Sequence, residues 1–376
     1  MSVSSVAIFN RYAMSWKMLG INTGRNKYLC GLYDIFVTLF MTINFPLHLN
    51  IGLLQSKTQG EIISNLVVNV AASACSVKQF ILRRKLTKLN ELNEIFGQLD
   101  GRVIDKDEQL YFQKIMLRDA RFLLNTFITI YVSVSAAAIL ALLMDEERRL
   151  LLPGFFPFDW RATNLSYLCA VGYQFVGLSM QVLQNFANDV CGPLSLCMYA
   201  GHVHLLSMRV SKIGHNADIT PEQNYTELIA CIEDYKKLMR MFIILQDTLS
   251  SAMFVQFVCS GFNICVAVVS ILFFADNLFA IVNAIVLLIA ISVEVFPACY
   301  YGSMLQLEFR DLPYSIFSSN WVMQSRKFRY NVVIFVEMSL KEVTAYAGGM
   351  VRIHIDSFFA TCKLAYSFFA LIQTMK

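Results

Sequence analysis

Histidines, cysteines and a few ionisable residues set in apolar sequence are where chemistry could reside in this chain of 376 residues. The five histidines are His48, His202, His204, His215 and His354, and none has the H-E-x-x-H spacing that holds zinc on one helix face. His202 and His204 are two apart, so a helix turns them to different sides. Ten cysteines could suggest a disulfide framework, but Cys30, Cys75, Cys169, Cys259, Cys265, Cys299 and Cys362 fall within apolar stretches, and no C-x-x-C pair occurs. Small apolar packing suits them better. No nucleophile motif or phosphate-binding loop is present. The chain therefore does not read as an enzyme: no catalytic residue, metal ligand or cofactor is expected, and no nucleic-acid partner. Three ionisable residues in apolar surroundings remain: Glu294, Asp356 and Lys363. They could serve a secondary transporter as coupling groups, but the internal repeat that many transporter folds show is missing.

Asp356 and Lys363 belong to the last apolar segment, about 350–375, which is long enough to cross a bilayer. Its small and polar positions are Asp356, Ala360, Lys363, Ser367, Ala370 and Thr374, at the helical period. Phe358, Phe359, Cys362, Tyr366 and Phe369 fall largely off that stripe. A membrane helix must turn such a stripe to protein or to water, because ionisable groups in hydrocarbon are costly. It either packs on neighbouring helices or walls an aqueous pore.

The elements that position these residues are predicted to be membrane helices. Hydrophobic residues make up 56% of the chain and charged residues 15%, against about 25% charged in a soluble domain. Mean hydropathy is +0.53. The expected fold is all-α, one polytopic bundle of seven transmembrane helices at about 29–54, 62–82, 122–144, 162–208, 248–275, 278–307 and 350–375. Within it Asp34 sits near the first span's inner end, Pro46 is placed to kink that span, and Lys78 is placed to snorkel toward the interface. Between 162 and 208 the single charged residue is Asp189, which permits a hairpin or one long helix. Charge favours the long helix, because the basic residues from Arg209 to Arg240 and the acid-rich loop 145–161 then lie on opposite sides.

Basic residues gather in 1–28, 83–121, 209–240 and 310–341, are scarce in 55–61 and 276–277, and are outnumbered by acids in 145–161. The positive-inside rule then gives a cytoplasmic N-terminus and an extracellular C-terminus. Residues 1–28 suit an amphipathic segment on the cytoplasmic face. A charged amphipathic helix is expected at about 330–346, broken by Gly348-Gly349 just before the last span. Asn164-Leu165-Ser166 falls outside as a glycosylation acceptor at Asn164, whereas Asn224-Tyr225-Thr226 falls inside.

Seven spans first suggest a G-protein-coupled receptor, but the sidedness is reversed, no Asp-Arg-Tyr follows the third span, and no Asn-Pro-x-x-Tyr occurs in the last. The same mismatch disfavours an opsin-like Schiff base at Lys363. The order of short motifs fits elsewhere. Gly348-Gly349 precede Ser357-Phe358-Phe359 and Lys363-Leu364-Ala365-Tyr366-Ser367-Phe368-Phe369. Upstream stand His204-Leu205-Leu206 with Arg209 and Gly214, Cys231-Ile232-x-x-Tyr235, and Tyr301-Gly302 followed by Leu305, Tyr314 and Ser319-Asn320-Trp321. Over its whole length the chain resembles the insect odorant receptors, inverted seven-span ligand-gated cation channels. Gustatory receptors share that fold but end differently: here Ser367-Phe368 leads through Phe369 to Gln373 and then Thr374-Met375. The stretch 209–247 lacks room for the insertion of the shared co-receptor, so the resemblance is to a tuning subunit.

That resemblance implies a subunit of a heterotetramer with the odorant co-receptor, in the plasma membrane of olfactory sensory neurons. It implies a central pore walled by the last helix at Lys363, Ser367, Ala370, Leu371, Thr374 and Met375, with permeating cations as partners. Thr374 replaces the co-receptor's glutamine. A cytosolic anchor of about 195–250 and 308–347 is expected within the single membrane domain 1–376. A small volatile ligand is expected in the bundle, near Val68, Asn69, Ala138, Tyr173, Gly177, Met180 and Asn283. Such sites are apolar with a few placed polar groups.

Overall fold

The structure is a computed structural model; it describes residues 4–21, 27–56, 59–143, 148, 150–273 and 278–374. Helix α1, Ser5–Met18, begins where the Ser4 side chain accepts from the Ala7 amide, and buries Ile8, Phe9, Tyr12 and Trp16 on one face. That face is covered by protein, since Tyr12 donates to the Ala187 carbonyl at 2.8 Å and Trp16 Nε1 donates to Tyr12 at 2.7 Å. The segment expected to lie on a membrane surface is docked on the bundle.

The first span runs through α2, Lys27–Phe36, a π-helical stretch Val37–Asn44, and α3, Phe45–Leu54. Pro46 lies in the first turn of α3 and offers no N–H to the Thr42 carbonyl one turn back. Ser76 of the second span, α4, Gln59–Arg83, donates to that carbonyl at 2.6 Å. The proline's lost hydrogen bond is thus replaced across helices, as a buried carbonyl requires. At the first span's other end Asp34 pairs with Arg83.

Helix α5, Leu86–Asp100, ends at Gly101. Helix α6, Lys106–Tyr111, continues through a π-helical turn, Phe112–Met116, into α7, Leu117–Leu143, the third span. The fourth is a single helix, α8, Asn164–Ser211, with Pro193 inside it; no hairpin interrupts it at Asp189. Its 48 residues reach about 70 Å at 1.5 Å each, well beyond the bilayer's hydrocarbon. Helix α9, Pro221–Phe273, carries the fifth span, expected from residue 248, and extends it in one rod well before that residue. Helix α10, Leu278–Phe317, is the sixth span, and α11, Arg326–Ser339, is shorter and earlier than the expected 330–346.

The last span also starts later than expected. Gly348 and Gly349 have φ of +60° and +71°, which turns the chain back. Strands β1, Tyr346–Ala347, and β2, Val351–Arg352, pair antiparallel across that turn, Tyr346 opposite Arg352. Arg352 therefore stands outside the helix. The spanning helix is α12, Ile355–Thr374.

One hydrophobic core threads α1, α5 and the ends of α7 to α11, with Tyr199, Leu206, Leu238, Phe309, Phe328 and Phe335 fully buried. The stretches expected as an anchor meet here: Asn320 N donates to Ile213 O at 2.9 Å, and Tyr235 donates to Met338 O at 2.8 Å. An ionic cluster binds residues 102–108 to this layer. Arg209 donates to Glu108 at 2.7 Å and to Asp234 at 3.0 Å, and Arg102 donates to Asp234 at 2.9 Å. Burial pushes the Glu108 carboxyl up, opposed by the Arg209 guanidinium. At the rim Lys212 holds Asp105 at 2.5 Å and keeps its carboxyl below the usual range. A depressed carboxyl stabilises the fold above its unfolded pKa of about 3.9 and loses that effect as pH falls through the folded value. Asp105→Asn is therefore expected to lower the melting temperature at pH 7, for a loss of about 0.5 kcal/mol at this exposed pair, and to leave it unchanged near pH 2. Melting purified protein across that pH range checks the sign.

Candidate functional site

Four glutamine and asparagine residues on α8 mark the end of the bundle away from the ionic cluster. Gln174, Gln181, Gln184 and Asn188, with Gly177 between them, follow the helical period and face the first two spans. Gln181 donates to Ala72 O at 3.2 Å, Gln184 to Thr42 at 2.7 Å, and Asn188 to Cys75 O at 3.1 Å. Asn69 of the second span is 3% exposed and donates to Asn65 O at 2.9 Å. With their amide nitrogens committed to these acceptors, the side-chain oxygens of Asn69, Gln181, Gln184 and Asn188 are buried without a donor among the described residues.

Tyr173 and Gly177 lie together against the first span. A Cβ on Gly177 would stand 2.2 Å from the Phe45 ring, so Phe45 fills that face. Tyr173 accepts from Asn44 at 3.3 Å and packs on Phe45, His48 and Phe156. The loop carrying Phe156 is held by His48, whose Nδ1 bonds Phe155 O at 2.6 Å, and by Gln174, which exchanges two hydrogen bonds with the Leu152 backbone. Met180 packs against the main core, whereas Val68 is 39% exposed on the second span. Ala138 lies in α7 and Asn283 in α10, but their side chains lie outside the described residues. Sequence reasoning missed Phe45, His48, Phe156 and Gln174. The glutamines at helical spacing in an otherwise apolar helix were the available signal.

Deeper in the bundle Lys78 does not snorkel. It is 4% exposed and its ammonium turns inward to Asp189 of α8 and Gln256 of α9. A lone buried Asp189 would cost far more than the turn, and a partner inside protein satisfies both charges. Tyr131 of α7 donates to the other Asp189 oxygen. Glu294, expected midway in the sixth span, accepts from Gln256 Nε2 at 3.0 Å.

Helix α12 packs by Phe358, against Phe296 at 5.4 Å between rings, and by Thr361, whose methyl lies 3.5 Å from where a Cβ on Gly261 would be. Its expected stripe faces the other way: Asp356, Ala360, Lys363 and Ser367 are all exposed, and so are the neighbouring Phe359 and Tyr366. Ser367 is tied back to the Lys363 carbonyl at 2.9 Å. Lys363 therefore does not turn to Asp356, which sits beside His354 at 3.1 Å. Ala370, Leu371 and Thr374 continue the helix with side chains outside the described residues, and Met375 lies outside them altogether.

The model of the 7tm odorant receptor family matches residues 58–366. The chain belongs to the odorant receptor family. Odorant receptor 33b of Drosophila melanogaster is 38% identical to it, covering 100% of this chain and 98% of the relative. Odorant receptor 33a of the same fly is 37% identical with the same coverage. The solved structure of the olfactory receptor OR5 from Machilis hrabei superposes with a TM-score of 0.82 at 14% identity, covering 98% of each chain. The OR5 structure in complex with eugenol gives 0.80, at 14% identity and 98% and 97% coverage. The protein is thus a multi-pass membrane receptor of the seven-span olfactory fold, not an enzyme. Within this odorant receptor α9 meets the polar chain at Gln256 and helix α12 at Gly261.

Proposed function

We propose that this odorant receptor is the tuning subunit of a ligand-gated, non-selective cation channel, opened by a small, largely apolar volatile. One observation carries the channel reading. Helix α12 keeps Asp356, Ala360, Lys363 and Ser367 exposed on the face turned from its own bundle. A charged residue facing hydrocarbon mid-bilayer costs about 2.5–3.5 kcal/mol, so that face belongs against water. One stripe cannot enclose a pore, and an assembly that brings several together can. The heterotetramer with the odorant co-receptor supplies it, joined through the layer of residues 195–250 and 308–347. Lys363, Ser367 and Ala370 then line the path, and Leu371, Thr374 and Met375 its narrowing, which opens by wetting.

The basic residues near α1, α5, α6 and α11 assign that end to the cytoplasm, leaving the C-terminus and Asn164 outside. Asn164 is exposed at the start of α8 and accepts from Arg148, within reach of glycosylation. The site of action is the plasma membrane of olfactory sensory neurons. The ligand belongs among Val68, Asn69, Ala138, Tyr173, Gly177, Met180 and Asn283, with the buried acceptor oxygens nearby as its polar contacts. The eugenol complex of the like-folded Machilis receptor supports a small-molecule site in this architecture.

Leu371→Ala, co-expressed with the co-receptor, should raise odorant-free leak several-fold by weakening the apolar narrowing, and Thr374→Val should change relative cation permeability. Reversal potentials and leak both equal to those of the original chain would return α12 to a packing role.

A further inference from the structure

The polar chain in mid-bundle joins five spans. Tyr131 of α7 donates to Asp189 of α8, and Asp189 accepts from Lys78 of α4. Lys78 donates also to Gln256 of α9. Gln256 Nε2 then donates to Ser260 Oγ at 3.0 Å and to Glu294 Oε2 of α10 at 3.0 Å. Gln256 and Ser260 are 6% and 2% exposed. Gln256 stands between an ammonium and a carboxyl, with its oxygen given to one and its nitrogen to the other.

The same stretch of α9 holds α12 and its lead-in. Gln246 exchanges two hydrogen bonds with the Tyr346 backbone, at 2.7 and 2.9 Å. Gly348 N donates to Ser250 O at 2.9 Å, and Phe254 lies under Gly348. Gly261 meets Thr361 of α12. Between residues 246 and 261, α9 touches the last helix with one side and the ion-pair chain with another.

We propose that Gln256 is the coupling residue between the ligand-binding bundle and the pore helix, an inference that rests on the channel reading above. Lys78 and Asp189 cannot part without stranding buried charge, so they hold α4 and α8 as the stationary half. The neutral amide of Gln256 can release either partner without stranding a charge of its own. Movement of α9 against α4 and α8 is then registered at Gln256, and α9 carries α12 and β1–β2 with it. A ligand shifts the channel only by binding one of these arrangements more tightly, and the strength of the Gln256 contacts sets their balance.

The test compares Gln256→Leu and Glu294→Gln with the original chain, each co-expressed with the co-receptor at matched surface labelling. A panel of volatiles first identifies an agonist of the original chain. Both variants should move the half-maximal agonist concentration at least tenfold. Thr361→Ala combined with Gln256→Leu should shift it by less than the product of the separate shifts, because both act through α9. Half-maximal concentrations within twofold of the original for both variants would overturn the coupling role and leave the network structural. Should Gln256→Leu fail to reach the surface, Glu294→Gln decides alone by the same criterion. If the original chain passes no current with any volatile, the channel reading fails, and the coupling role falls with it.

Discussion

Asp189→Leu with Lys78 left in place is expected to remove most folded receptor from the membrane. Lys78 is 4% exposed and would keep its charge without its ion-pair partner, with Gln256 left to accept from it. Breaking a buried pair from one side costs about 3–5 kcal/mol, a large part of the roughly 5–15 kcal/mol that holds an ordinary domain together. The paired change Lys78→Met with Asp189→Leu should recover most of the loss, because neither member of the pair is left buried without its partner. Detergent-solubilised protein should melt in that order: original, double variant close behind, single variant far below. A single variant that melts with the original chain would mean that water reaches Lys78. Gating of the double variant is not expected to recover with its stability, since Gln256 has lost Lys78 there.

Gly302→Ala should disable gating while leaving the bundle assembled. A Cβ there would stand 2.0 Å from the Ile353 carbonyl oxygen, a backbone atom with no rotamer to escape through. The lead-in cannot retreat freely, because Ile353 N donates to Ala345 O at 2.8 Å and Ile355 N donates to Ser303 Oγ at 2.9 Å. Overpacking of this kind costs about 1–3 kcal/mol, and the strain falls on the segment that aims α12. Maximal current per surface channel should drop at least fivefold, about 1 kcal/mol in an opening equilibrium. Gly172→Ala is the control: nothing lies within 4 Å of its Cβ position, and stability should stay within about 0.5 kcal/mol. Equal currents from the Gly302 and Gly172 variants would dissociate the lead-in from gating.

The elements legible in the sequence were those encoded by local composition and charge. The fourth span reads as one helix because Arg209 and the acid-rich loop before Asn164 cannot share a side, and α8 runs unbroken from Asn164 to Ser211. The polar stripe on α12 follows from periodicity alone. Contacts between distant parts of the chain were not legible. Lys78 finds Asp189 and Gln256 across 111 and 178 residues, and no local pattern distinguishes that lysine from one that snorkels. The helix ends failed for a similar reason. Met350 to His354 are apolar and basic enough to continue a helix, but the paired positive φ of Gly348 and Gly349 folds the chain back, with Val351–Arg352 as a strand. In the proposed ligand region Tyr173 and Gly177 lie where Phe45 and His48 crowd them, partners whose importance depends on which helix lies opposite.

The central claim is that this chain opens a cation path when a volatile binds. Whole-cell recording from cells expressing it with the odorant co-receptor tests that most directly. A reversible cation current is expected that saturates with volatile concentration and is absent with the co-receptor alone. Surface-labelled chain that gives no current with any volatile, yet takes up substrate against a gradient, would contradict it.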